Sequence, residues 1–185
     1  MTIEIDYTNK SNSKPTSNLV LFTNEKFSTD KLKKHLSDSE ISYINDLLKT
    51  NDLKKNIFVF ELSSKKKLVL ISIKSNIKKS DIESLGAEFF ERVNHGKNSG
   101  YFLFSDSINS KQENFLGYFL HGLKLKSYQF KKYKTKNKKR IISISIIGIK
   151  NKPSKTNQLK FKALEEGTFF ARDLVSEPGN VLHPD

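Results

Sequence analysis

The sequence predicts an α/β fold in which a mixed sheet is flanked by helices. Three patterns carry this reading. Short runs rich in β-branched residues alternate with longer stretches whose apolar residues recur at helical spacing. Three of the longer stretches begin with a Ser-x-x-Glu pair, the mark of a helix N-terminus. Two of the short runs are separated only by Ser63–Lys67, a gap suited to an antiparallel hairpin, so the sheet is not wholly parallel.

The chain opens with an alternating strand at Ile3, Ile5 and Tyr7, followed by a polar, turn-rich stretch that reads as loop. Asn18–Phe22 is a short strand. Ser37 with Glu40 caps a first helix carrying Ile41, Ile44, Leu47 and Leu48 on one face. Ile57–Leu62 and Leu68–Ile73 are the hairpin strands. Ser80 with Glu83 caps a second helix striped by Ile82, Leu85, Phe89, Phe90 and Val93. Tyr101–Ser105 is a strand. Ser110 with Glu113 then caps a third helix striped by Phe115, Leu116, Phe119, Leu120 and Leu123. These stripes are core faces and contain no cofactor box. Gly86 and Gly117 interrupt helical patterns, and close packing against the sheet is the expected compensation. Two strands follow, Ser127–Lys131 and Arg140–Ile149, the second apolar enough for a strand covered on both faces. Lys150–Asn157 is a basic linker broken by Pro153, and a last helix over about Gln158–Val175 is striped by Leu159, Ala163, Leu164, Phe170, Leu174 and Val175.

Composition narrows the chemistry. With no cysteine, disulfides, thiolate metal sites and cysteine catalysis are excluded. No apolar run approaches the ~20 residues of a membrane span and the N-terminus has no signal-like stretch, so the chain reads as a soluble cytoplasmic protein. The net charge of +13 admits a polyanion partner. Yet all but three of the 33 basic residues are lysine, the exceptions being Arg92, Arg140 and Arg172, whereas base readout favours the arginine fork. A lysine-, asparagine- and isoleucine-rich composition explains the charge without a partner. His35, His95, His121 and His183 are too scattered for a metal site, and read as helix-boundary or cap residues.

Two segments carry a family resemblance. The stretch Gly167–Asp185 contains Arg172-Asp173-Leu174-Val175, then Ser176-Glu177-Pro178, then Asn180-Val181-Leu182-His183-Pro184. About fifty residues upstream, Gly122, Leu123, Leu125, Ser127, Tyr128, Phe130, Tyr133, Lys134, Thr135 and Lys136 form a second pattern. Both resemble the leucine aminopeptidase family (cytosol aminopeptidases), the first departing where Ser176 replaces Asn and His183 replaces Thr. The resemblance implies a macro-domain-like N-terminal domain over 1–150, a linker and interdomain helix over 151–176, and the start of a metallopeptidase domain over 177–185. It further implies a cytosolic enzyme that removes N-terminal residues from peptides, with two divalent metals, Mn or Zn, held in the catalytic domain, and a homohexameric assembly. The family's metal-ligand motifs are not found here, and the acidic residues are scattered over caps and helix faces. The expectation is a truncated piece without catalytic or metal-binding residues, serving assembly and active-site access, and inactive alone.

The alternative is a basic nucleic-acid-binding module. Lys124–Arg140 carries nine positive charges and no acid, with Tyr128, Phe130 and Tyr133 interleaved. The candidate contacts are Lys131, Lys132, Lys134, Lys136, Lys138, Lys139 and Arg140. The competing reading is a strand pair with a solvated hairpin at Thr135–Lys139 and with its aromatics in the core. A macro-type fold also raises nucleotide binding, but the glycines are dispersed and form no phosphate-cradling loop before a helix.

Overall fold

The computed structural model describes residues 2–8, 18–94, 99–133 and 140–179. The strands are β1 (Thr2–Thr8), β2 (Asn18–Asn24), β3 (Ile57–Ser63), β4 (Lys66–Ile73), β5 (Ser99–Phe104) and β6 (Ile141–Ile147). The helices are α1 (Asp38–Thr50), α2 (Lys79–Val93), α3 (Phe115–Ser127) and α4 (Lys155–Ser176), with short 3-10 turns at Asp30–Lys34 and Ser105–Ser107. Among the described residues the strands form one sheet in the order β1-β6-β5-β2-β4-β3. Its pairs are parallel except for the β3–β4 hairpin at one edge. The predicted mixed sheet flanked by helices is therefore what the chain adopts.

Strand alternation sends side chains to two cores. Val20, Phe22, Val69, Ile71, Leu103, Ile142, Ile144 and Ile146 meet α2 and α3 on one face. Leu19, Leu21, Leu68, Leu70, Phe58 and Phe60 meet α1 and the first 3-10 turn on the other. The helix stripes read from sequence are buried in α1 (Leu47 partly), α2 and α3.

Several local expectations are corrected. Ser37–Glu40 is a capping box, with the Glu40 amide on the Ser37 hydroxyl (3.3 Å) and the Ser37 amide on the Glu40 carboxylate (3.0 Å). Ser80–Glu83 is not. Helix α2 starts earlier, and Asp81 accepts the Lys78 amide at 3.3 Å, leaving Glu83 available elsewhere. Ser110–Glu113 also fails, because Ser110 accepts the Gln112 amide in a local turn (3.1 Å). Helix α3 instead begins after Asn114, which is left-handed at φ 55°. The predicted strand at Ser127–Lys131 is absent: Ser127 ends α3, and 128–131 run back toward α4. β6 is covered on one face only. Ser143 is exposed and Ser145 half-buried, and just Ile147 reaches the second core, because the α1 layer lies over the other end of the sheet. The two serines inside that apolar run were its visible sign.

Gly86 packs against a helix and not, as expected, the sheet. A Cβ there would lie 1.9 Å from the Phe119 carbonyl oxygen of α3, and one at Gly122 would lie 1.9 Å from the Glu83 carbonyl oxygen of α2. Each helix thus receives the other's backbone at a glycine. A Cβ at Gly117 would strike the Phe161 ring of α4 at 2.3 Å. Helix α4 begins at Lys155, three residues before the predicted start, because the Ser154 hydroxyl accepts the Asn157 amide (3.2 Å). Its predicted stripe points outward, with Leu159, Leu164, Phe170, Leu174 and Val175 exposed, and Phe161 is its one buried residue. Of the loop expected over Thr8–Asn18, the two end residues belong to β1 and β2, and residues 9–17, His95-Gly96, the Thr135–Lys139 hairpin and the segment from Asn180 lie outside the described residues.

Candidate functional site at the junction of α3 and α4

The most specific sequence patterns meet in space. Residues 125–133 and 172–177, some 45 positions apart, face each other where α4 ends. The Arg172 guanidinium donates to the Leu125 carbonyl at 2.7 Å, satisfying a carbonyl in the last turn of α3 at its negative end. The same guanidinium lies 5.5 Å from the Tyr128 ring centre. Tyr128 donates its hydroxyl to the Asp173 carboxylate at 2.7 Å, and its ring sits 5.3 Å from that of Phe169. Lys132 donates to the Glu177 carboxylate at 2.5 Å, and the Tyr133 hydroxyl donates to its other oxygen. The Lys132 and Tyr133 hydrogen bonds hold the Glu177 carboxyl below its ordinary range, and Glu177 in turn raises the Lys132 ammonium. For Tyr128, burial followed by the Asp173 bond raises the phenol. Tyr128 and Tyr133, read from sequence as aromatics of a strand pair, are therefore elements of a clasp on α4.

The N-terminal half of α4 is fixed differently. Phe161 enters the slot left by Gly117, with its ring 5.1 Å from Tyr118 and 5.5 Å from His121. Beside it lies a cleft of about 200 Å³ bounded by Tyr7, His121, Lys124 and Glu165. Burial pushes the Glu165 carboxyl up, opposed by Lys124 and His121, and burial with the Glu165 charge pushes Tyr7 up to about 12. His121, read from sequence as a boundary residue, is buried, and its Nδ1 meets the Glu83 carboxylate at 2.9 Å. Its Nε2 has no hydrogen-bond partner. His35 lies against Phe104 on the opposite face, the ring centres 4.1 Å apart and the planes tilted by 45°.

The far end of the sheet is closed by its own residues. Asp106 accepts the Ile149 and Lys150 amides at 2.9 and 2.7 Å. Gly148, at φ 126°, lets this approach happen, since a Cβ there would sit 2.8 Å from the Asp106 carboxyl carbon. The Asn151 side-chain amide donates to the Ser105 and Ile108 carbonyls at 3.1 and 3.0 Å, tying down the same turn. Strand C-terminal ends are where open α/β sheets receive ligands, and here a carboxylate already fills a two-amide cradle.

Of the basic candidates, Lys132 is paired with Glu177, Lys131 is half-buried, and Arg140 turns Nε and Nη2 inward without a hydrogen-bond partner. Lys134, Lys136, Lys138 and Lys139 lie outside the described residues. Among the described residues no group of three or more His, Asp or Glu side chains could hold a metal, and no helix is long and apolar enough to cross a membrane. Sequence reading found the clasp residues as pattern but missed their pairing, since hydrogen bonds across 45 positions leave no periodic signal.

No family model matches the chain. Among curated proteins it is similar to the probable cytosol aminopeptidase of Clostridium perfringens, at 32% identity over 60% of this chain and 24% of that protein. It is similar also to that of Xanthobacter autotrophicus, at 36% identity over 34% of this chain and 14% of that protein. The matched stretch thus spans at most about a quarter of these relatives' length. Among solved structures, a tomato leucine aminopeptidase variant superposes with TM-score 0.68 and 17% identity, over 99% of this chain and 40% of that one. Coxiella burnetii cytosol aminopeptidase superposes with TM-score 0.58 and 14% identity, over 94% of this chain and 34% of that one. The resemblance to the N-terminal region of leucine aminopeptidases is borne out in sequence by the curated relatives and in fold by the solved structures.

Proposed function

We propose that this chain is the N-terminal, non-catalytic domain of a metal-dependent cytosolic aminopeptidase, with 1–150 as the α/β domain, 151–176 as linker and interdomain helix, and 177–185 opening the catalytic domain. The observation that carries the reading is the clasp: the two segments that resemble the family are held together, and they converge on Glu177, where the proposed catalytic domain begins. The outward face of α4, with Leu159, Phe170 and Leu174 exposed, suits packing by that domain, since apolar side chains in a row mark a contact surface.

In this reading two divalent ions, Mn or Zn, would sit in the catalytic domain and activate a water against the peptide bond. Among the described residues no group of three or more His, Asp or Glu side chains could hold such ions, and several carboxylates are already engaged: Glu40 on Lys66, Glu83 on His121, Asp106 on backbone amides, Asp173 and Glu177 in the clasp. The contribution of this chain is to orient, within an assembly of several subunits, the domain that acts on peptides in the cytoplasm. The test is release of p-nitroaniline from leucyl-p-nitroanilide with added Mn²⁺ or Zn²⁺. The full-length gene product should be active and residues 1–185 inactive. Metal-dependent turnover by the purified 185-residue chain would overturn the reading.

A further inference from the structure

Helix α4 is held to the domain by two unlike attachments with a weak point between them. The first is apolar. Phe161, the helix's one buried residue, sits in the Gly117 slot against Tyr118 and His121, and the root is tied by the Ser154 cap, Asn157 to Asn114 (2.6 Å) and Gln158 to the Pro153 carbonyl (2.9 Å). The second is the clasp, which is mainly polar and lies at the edge of the domain, with the Lys132 side chain 58% exposed and that of Glu177 8%. Between them comes Gly167, where a Cβ would meet nothing within 4 Å. Packing therefore does not require glycine there, although glycine weakens a helix interior. The next residue, Thr168, turns its hydroxyl back onto the Leu164 carbonyl at 2.7 Å, an i−4 bond that bends helices.

We propose that α4 is a hinged arm: residues 155–166 are fixed to the domain, and the half beyond Gly167 swings about Gly167–Thr168 and is held down by Tyr128, Lys132 and Tyr133 on Asp173 and Glu177. Ion pairs and hydrogen bonds at a surface hold weakly and are screened by salt, whereas the Phe161 anchor is not. The arm therefore opens at one end only. Nine residues separate the hinge from Ser176, a lever of roughly 14 Å at helical rise. A bend of ~20°, the size at which a helix counts as kinked, moves its tip by roughly 5 Å. The clasp thus sets the direction in which the chain leaves the domain, and its opening redirects whatever follows Glu177.

This inference concerns α4 alone and does not depend on the aminopeptidase reading. The chain has no cysteine, so spin labels can be placed at Ser80→Cys on α2 and Val175→Cys, both exposed and neither in the clasp. Pulsed electron-electron dipolar spectroscopy on the full chain should give one narrow distance at low salt. Lys132→Glu should add a second population, and the charge swap Lys132→Glu with Glu177→Lys should restore the narrow one. Gly167→Ala placed in the Lys132→Glu background should shrink the second population several-fold, and that population should itself be narrow, as a rigid bent arm gives, whereas a frayed helix end would give a broad one. An unchanged distribution in Lys132→Glu, a swap that fails to restore, or a second population indifferent to Gly167→Ala would each overturn the hinge. Far-UV circular dichroism of every variant separates these outcomes from loss of the fold. If the arm opens as described while the full-length protein is inactive on peptides, the hinge stands and the functional reading falls.

Discussion

Tyr128 and Asp173 are joined by a 2.7 Å hydrogen bond across 45 positions of sequence, and the Tyr128 ring is covered by Arg172 and Phe169 from the same helix. Tyr128→Phe keeps the ring contacts and removes the bond. Amide exchange over residues 170–176 should accelerate, while the amides of β2 and β4, buried at the centre of the sheet, keep their protection. Equal acceleration in both regions would show that Tyr128 supports the whole domain and not the end of α4.

Glycine substitutions should sort by surroundings. Gly86→Ala places a methyl 1.9 Å from the Phe119 carbonyl oxygen, a backbone atom that cannot rotate away, and overpacking of this kind costs about 1–3 kcal/mol or more. Gly167→Ala meets open space inside a helix and should stabilise that helix by about 1 kcal/mol. Urea titrations of both variants decide it, and the two midpoints should move in opposite directions.

Phe161→Ala should release the root of α4 and leave the sheet intact. Truncating a buried phenylalanine costs about 3–5 kcal/mol, and Phe161 lies at the margin of the core (8% exposed), so the lower figure applies. Hydrogen exchange should show α4 opening as a unit before the domain unfolds. A single cooperative loss of all protection would count against separate attachment.

Glu40 gives a pH signature. Burial pushes its carboxyl up, but bonds from Lys66 (2.6 Å) and from the Ser37 amide and hydroxyl outweigh that and hold it below the ordinary glutamate value. A carboxyl lowered on folding adds stability above its unfolded value of about 4.3 and loses it as pH falls through the folded value. Glu40→Gln should therefore destabilise at pH 7, and the gap to the native chain should close in acid. Thermal melts across pH 3–7 would show the convergence, and a constant gap would contradict the ion-pair account.

Retention on duplex DNA, if any, should be weak, indifferent to sequence and lost as salt rises, because lysine–phosphate contacts add about −0.9 each to the log–log salt slope without reading bases. Anisotropy titrations at low and near-physiological salt check this. Tight, sequence-selective binding at physiological salt would favour the nucleic-acid module over the reading adopted above.

The legible part of this fold was whatever repeats along the chain. Ile41 and Ile44, or Phe89 and Val93, are core because their spacing matches a helix turn, and the 57–73 hairpin follows from a short polar gap. What lay hidden depends on partners. The Ser80–Glu83 pair has a capping signature, yet Asp81 is placed to take the Lys78 amide, and Glu83 is drawn to His121 from another helix. Leu159 and Phe170 look like core because the periodicity says apolar face and cannot say toward what. Tyr128 and Phe130 sit at alternate positions and so mimic a strand, while the bond that employs Tyr128 comes from residue 173. The motif residues of the candidate site were therefore named in advance, and their chemistry was not.

The Asp106 carboxylate in the cradle of the Ile149 and Lys150 amides has a kinetic consequence. A cradle filled by a dissolved anion is ordered only for as long as its guest stays, and its occupancy follows concentration. An anion carried on the chain never leaves and competes at an effective concentration that a dissolved one hardly reaches. The turn that launches α4 is thus tethered to the sheet by a permanent guest, indifferent to the metabolite pool around it. Movement of the arm starts from a fixed origin, much as a door depends on a frame that does not move.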